Sequence, residues 1–200
     1  MTEKKLEGKT IAILAADGFE HSELFEPKKA LEEAGAKVEI VSLKSGEIKS
    51  WKAKNWGESL KVDKVVGEVT PESYDGLVLP GGVINPDLLR ADKKAVEFVK
   101  NMATSGKPIA AICHGPWTLV EADVVNGRRM TSYNSIKTDL INAGADWVDA
   151  EVVSDHGFVT SRKPDDLPAF NKKMVEEFAE GVHTHRTMHA RKENVQRTIQ

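Results

Sequence analysis

Two hundred residues carry 28 basic and 31 acidic side chains, a net charge of −3 and a single cysteine. The near balance gives no electrostatic basis for a general nucleic-acid or membrane-surface role, and no apolar run approaches the roughly 18–20 residues that span a bilayer. One cysteine excludes an intrachain disulfide, so a reducing, cytoplasmic setting is expected. The charged stretch 1–9 leads straight into a short strand-like run and lacks the apolar core of a signal peptide.

Residues 10–15 read as a buried strand, and 22–34 as a helix closed by Gly35. Pro27 withdraws an N–H from that helix, which predicts a bend near Glu23. A second strand is expected over 37–43, and residues 51–64 as an excursion from the main sheet. A third strand over 75–79 ends in Pro80-Gly81-Gly82. One helix is expected over 86–104, with Leu88, Leu89, Val96, Val99 and Met102 on one face and Gly106 at its end. The apolar strand 108–112 is followed by a helix opening near Gly115. Residues 129–132 and a helix over 135–143 continue the alternation. Residues 151–154 and 158–161 read as a hairpin turned by Asp155-His156-Gly157, and a helix over 165–180 closes the series.

Strands alternating with helices predict an α/β domain with a mostly parallel sheet covered on both faces. No linker or repeat interrupts residues 10–180. The segment 183–200 is polar, with Arg186, Arg191, Lys192 and Arg197 against Glu193, and reads as a tail. Its histidines, His183, His185 and His189, have no accompanying cluster of Cys, Asp or Glu at ligand spacing, so no metal site is expected. No G-x-G-x-x-G or Walker-type loop is present, and no cofactor is expected.

Ligands of open parallel sheets bind beyond the carboxyl ends of the strands. Three such ends carry unusual residues: Asp17 to His21, Gly81-Gly82, and Cys113-His114-Gly115. The last has the layout of a nucleophile elbow with cysteine in place of serine. A thiol there meets the N–H groups of a helix start, which favour the thiolate. The N–H groups of His114 and Gly82 are candidate oxyanion donors, and His114 is the candidate general base. Glu20 has two readings: a protonated acid that donates to the thiolate, or a helix N-terminal acid favoured by the dipole together with Glu23. His156 is followed by Gly157 and Phe158, so the late His-x-Glu pair of a glutamine amidotransferase is missing.

These residues resemble the PfpI family, the intracellular-protease-like branch of the superfamily that includes the parkinsonism-associated deglycase and shares the class I glutamine amidotransferase-like fold. The resemblance rests on Phe19-Glu20 with Glu23, Leu79-Pro80-Gly81-Gly82, Ala111-Ile112-Cys113-His114-Gly115-Pro116 and Thr131-Ser132-Tyr133. Asn142-Ala143-Gly144 through Trp147-Val148-Asp149, and Thr160-Ser161-Arg162, extend it over residues 8–182. It implies a flavodoxin-like three-layer sandwich, a nucleophilic Cys113, a protonated Glu20 beside it and His114 as partner. It also implies a homo-oligomer in which a neighbouring subunit supplies an acid. Asp87 stands at the corresponding position, where the peptidase-like pattern has glutamate. The activity expected on this basis is a cysteine-dependent hydrolase or deglycase for glycated or carbonyl-damaged substrates, acting under stress, with peptidase action among the family's assignments. The alternative from another class is a redox-responsive protein whose Cys113 is oxidised without turnover; a non-catalytic scaffold is a third. No specific nucleic-acid or membrane partner is expected.

Overall fold

In chain order the strands are β1 (Thr10–Leu14), β2 (Phe19–Glu20), β3 (Lys37–Ser42), β4 (Glu47–Lys52), β5 (Asn55–Lys61), β6 (Lys64–Val65), β7 (Gly76–Leu79), β8 (Ile109–Ile112), β9 (Arg129–Met130), β10 (Asp146–Trp147), β11 (Val152–Asp155) and β12 (Phe158–Ser161). The helices are α1 (His21–Glu33), α2 (Ile84–Ala91), α3 (Lys93–Thr104), α4 (Pro116–Glu121), α5 (Lys137–Asn142) and α6 (Leu167–Glu180). The computed structural model describes residues 4–183; the segment 184–200, most of the expected tail, lies outside the described residues.

Seven strands form the main sheet in the order β11-β12-β8-β7-β1-β3-β6. All its neighbours are parallel except β11 and β12, the expected hairpin. His156 and Gly157 turn that hairpin with φ of 48° and 83°, the pair of positive values that a two-residue turn needs to match strand twist. Alternation along the central strands feeds two cores. Ala12 and Leu14 of β1, Leu77 and Leu79 of β7, and Ile109 and Ala111 of β8 face the core under α2–α5. Ile11, Ile13, Val78, Ala110 and Ile112 face the one under α1 and α6. Because both faces are covered, these strands read as continuous apolar runs.

The expected excursion is a β4–β5 hairpin, which starts earlier than residue 51 and pairs with β2 in a separate three-stranded sheet. One expectation is corrected. The helix predicted over 86–104 is two helices, because Asp92 sits between them with extended backbone (φ −95°, ψ 118°). Its carboxylate accepts from the N–H groups of Lys94 and Ala95, capping α3. The break rotates α2 relative to α3. Ala95, Phe98, Val99 and Met102 are buried at helical spacing, whereas Leu88 is left exposed.

The parallel strands β1, β7 and β8 all point their carboxyl ends to one edge. Asn85, fully buried in α2, ties two of the emerging loops together. Its amide nitrogen donates to the carbonyls of Pro80 (2.9 Å) and Gly81 (3.1 Å), and its oxygen accepts from the N–H of Ala16 (2.7 Å).

Candidate active site

Strand β8 ends at Ile112, and the chain then reverses through Cys113, whose φ of 63° lies in the left-handed region. The backbone holds it there from two sides. Its N–H donates to the Ser161 carbonyl on β12 (3.1 Å), and its carbonyl accepts from the N–H of Tyr133 (2.9 Å). Gly115 completes the turn, its N–H donating to the Ile112 carbonyl (2.8 Å). A Cβ on Gly115 would stand 2.4 Å from the Leu79 carbonyl oxygen, so only glycine fits. Pro116 then opens α4 at a position where a missing N–H is harmless. A non-glycine residue held at positive φ between a strand and a helix is the elbow expected from the sequence.

The carboxyl beside the thiol belongs to Glu23, not to Glu20. Glu20 caps α1: its Oε2 accepts from the N–H of Glu23 (2.8 Å) and the hydroxyl of Ser22 (2.5 Å). That is the second of the two roles read from the sequence. Capping turns Glu23 inward, where it is completely buried. Oε2 of Glu23 accepts from the N–H of Gly81 (3.0 Å), and the carboxyl lies within hydrogen-bonding reach of the Cys113 thiol. Gly81 has to be glycine, since a Cβ would come 2.3 Å from Glu23 Oε2 and 2.5 Å from Cys113 Cβ. Burial first, and the charge of Glu20 second, push the Glu23 pKa up to about 8. A carboxyl shifted this way favours its protonated form at neutral pH, and a protonated Glu23 can donate to the sulfur it touches.

Cys113 is 7% exposed. Burial raises its pKa, and an ionised Glu23 raises it further, while the N–H groups of Gly82 and His114 act in the opposite direction. The low thiol pKa expected from the helix start is thus corrected: α4 has only six residues, and burial outweighs the two N–H donors. Two buried groups this close do not both carry charge, so a thiolate forms when Glu23 keeps its proton. The Gly82 and His114 N–H groups, expected as oxyanion donors, both reach the Cys113 sulfur in this structure. Gly82 has φ 80°, and a Cβ there would meet the Gly18 carbonyl oxygen at 2.5 Å.

His114 Nδ1 stands 3.2 Å from the sulfur and Nε2 stands 3.0 Å from Ser135 Oγ. The ring stacks on Tyr133 (centroids 4.8 Å apart) and meets Trp117 edge-on at 5.2 Å. Burial lowers its pKa, so it is neutral at pH 7. If Nδ1 receives the thiol proton, Nε2–H must donate to Ser135 Oγ, which fixes the tautomer. Asp87 lies in the first turn of α2 with its side chain exposed, and within one chain it makes no hydrogen bond to His114. Among the described residues, no cluster of metal-ligating side chains includes Cys113, Glu23 or His114.

The sequence reading missed Glu23 as the inward acid, Ser135 and Asn85. The Glu20–Glu23 spacing did hold a signal: an N-cap side chain accepts from the N–H three residues later, which assigns the first acid to the cap and frees the second. Ser135 had no such local signal, since its partner is 21 residues away; of the Asn85 partners, Pro80 and Gly81 are 5 and 4 residues away and Ala16 is 69.

The sequence profile of the DJ-1/PfpI family matches residues 9–177. Protein/nucleic acid deglycase 2 of Escherichia coli (strain K12) is 46% identical over 168 residues, covering 84% of this chain and 96% of its own. General stress protein 18 of Bacillus subtilis (strain 168) is 45% identical over 169 residues, with the same coverages of 84% and 96%. Among solved structures, Drosophila melanogaster DJ-1beta superposes with a TM-score of 0.77 at 30% identity, over 86% of this chain and 90% of that one.

Proposed function

We infer from this site, and from the DJ-1/PfpI family to which the chain belongs, that the protein is a cysteine-dependent hydrolase of the deglycase kind. Its substrates are glycated or carbonyl-damaged groups, and its setting is protection under stress. The observation that carries this reading is the completely buried Glu23 carboxyl against the Cys113 thiol, with burial pushing its pKa up to about 8. A carboxylic acid kept neutral in that position stabilises a thiolate without repelling it.

In the reaction, sulfur donates its electron pair to the substrate carbonyl carbon and the C=O π pair moves to oxygen. The thiol proton passes to His114 Nδ1, 3.2 Å away. The C=O then re-forms and expels the amine or thiol carried by that carbon, which takes the proton back from His114 Nδ1. Water cleaves the remaining carbon–sulfur bond, its OH going to carbon and its hydrogen to sulfur, and regenerates the thiol. With only 7% of Cys113 exposed, a small carbonyl adduct reaches sulfur more readily than an extended peptide does, which favours deglycase over peptidase action.

The setting is cytoplasmic on this reading, and the working form is a homo-oligomer. Among the described residues no helix is long and apolar enough to cross a membrane. Val83, Ile84 and Leu88 are exposed apolar side chains around Asp87, a surface suited to a second copy whose acid reaches His114. The test is a panel of methylglyoxal-glycated thiols and amines. Wild type turns over at least one of them, and Cys113→Ser abolishes turnover. Turnover that survives in Cys113→Ser, or a wild type inert to the whole panel, sinks the reading.

A second reading is a redox sensor. The chain has one cysteine, so an oxidised Cys113 cannot resolve into an intrachain disulfide and proceeds to the sulfinic acid. Glu23 is placed to donate to an added oxygen. Mild peroxide that oxidises Cys113 in a wild type inert to the panel favours this role.

A further inference from the structure

Helix α6 ends at Glu180, where Gly181 (φ 84°) turns the chain away. His183 does not trail into solvent. Its N–H donates to the Gly106 carbonyl (2.8 Å), just ahead of β8. Its ring lies over Gly157, where a Cβ would stand 2.8 Å from Cδ2. Both contacts are at the amino ends of the parallel strands, the edge opposite Cys113. The placement brings His183 against the last turn of α6, so that single ligand-type atoms of Glu177, Glu180 and His183 all lie within 4.8 Å of one another.

Glu177 supplies the second observation. It is 8% exposed, and its Oε1 accepts from the Ser154 hydroxyl on β11. Its Oε2 is buried and accepts no hydrogen bond, and His183 Nε2 is likewise buried without a hydrogen-bond partner. These two atoms face each other at 3.3 Å. Two donors on a tetrahedral zinc, each about 2.0–2.1 Å from the metal, stand about 3.3–3.4 Å apart. The Ser154 hydroxyl orients the carboxylate from its far oxygen, as outer groups do around metal ligands. The exposed Glu180 carboxylate supplies the third donor, its oxygen already within 4.8 Å of the other two ligand atoms.

We propose that Glu177, Glu180 and His183 form a divalent-cation site of the zinc type, built by the end of α6 and the chain that follows it. One imidazole and two carboxylates suit zinc and its neighbours in the first transition row, and leave a fourth position for water. The site pins the residues after α6 to the sheet edge at Gly106 and Gly157. It is remote from the thiol, and the inference does not rest on the proposed function.

The test uses the full chain without an affinity tag, stripped by chelator and titrated with Zn²⁺ by calorimetry. Wild type binds one ion per chain, with micromolar or tighter affinity, and its melting temperature rises. Cys113→Ser and the double variant His185→Ala/His189→Ala bind as wild type does. His183→Ala, Glu177→Gln and Glu180→Gln each weaken binding at least about tenfold. Glu180 is exposed and His183 follows the last helix, so these two variants decide the matter should Glu177→Gln fold poorly. The proposal fails if neither variant changes the affinity, or if binding vanishes in Cys113→Ser or in His185→Ala/His189→Ala. It also fails if wild type binds no tighter than about 1 mM, which leaves Glu177 and His183 as an ion pair only.

Discussion

At pH 7 a carboxyl with a pKa near 8 keeps its proton, whereas the same Glu23 in the unfolded chain loses it near 4.5. Between those values the folded state binds more protons than the unfolded one, so stability falls as pH rises through the window. The loss attributable to this group is at most about 5 kcal/mol at roughly 1.4 kcal/mol per pH unit. Glu23→Gln has no proton to lose. Urea unfolding at about pH 5 and about pH 8 is expected to show wild type clearly less stable at the higher pH, with a flatter dependence in the variant. Equal slopes would mean that Glu23 is not held protonated. The same substitution removes the competitor for the shared proton, so alkylation of Cys113 above pH 8 is expected to be faster in Glu23→Gln than in wild type. An unchanged rate profile counts against the coupling.

At the scale of elements, the edge where β1, β7 and β8 end was legible because each strand is an apolar run stopped by glycine or a nucleophile. The sorting of acids within α1 was less so. Glu20 and Glu23 are one turn apart, and which one turns inward depends on where the helix begins, an end that sequence places only to within a few residues. The α2–α3 break was hidden in the same way: Asp92 is a strong N-cap residue inside a stretch whose apolar positions keep helical spacing. Asp92→Ala is expected to cost about 1 kcal/mol of stability, read from the denaturation midpoint, with Cys113 alkylation unchanged. A neutral substitution would mean that the carboxylate does not hold the break. The Ser135 contact with His114 and the Asn85 contact with Ala16 were beyond sequence reasoning, because only the assembled fold brings those partners together.

For the whole molecule, the acid completing His114 is the open element. Within one chain Ser135 fixes the imidazole, but a hydroxyl does not stabilise an imidazolium as a carboxylate does. If Asp87 of a second copy supplies that charge, Asp87→Ala lowers turnover about tenfold or more while Cys113 stays reactive to small alkylators. Co-folding Cys113→Ser chains with Asp87→Ala chains then restores part of the activity, since some mixed sites hold both intact residues. Co-purification of two differently tagged chains, with activity still at parental levels, would show the site to be complete within one chain.

The left-handed backbone at Cys113 has a consequence over generations. A side chain at φ 63° costs of order 1 kcal/mol that glycine does not. Glycine at residue 113 would ease the turn at the cost of one small side chain from the core under α1 and α6. A descendant released from its chemistry has a short mutational route toward greater relaxation at that turn, and drift is free to take it. Where the thiol persists in spite of that gradient, its persistence is a record of use.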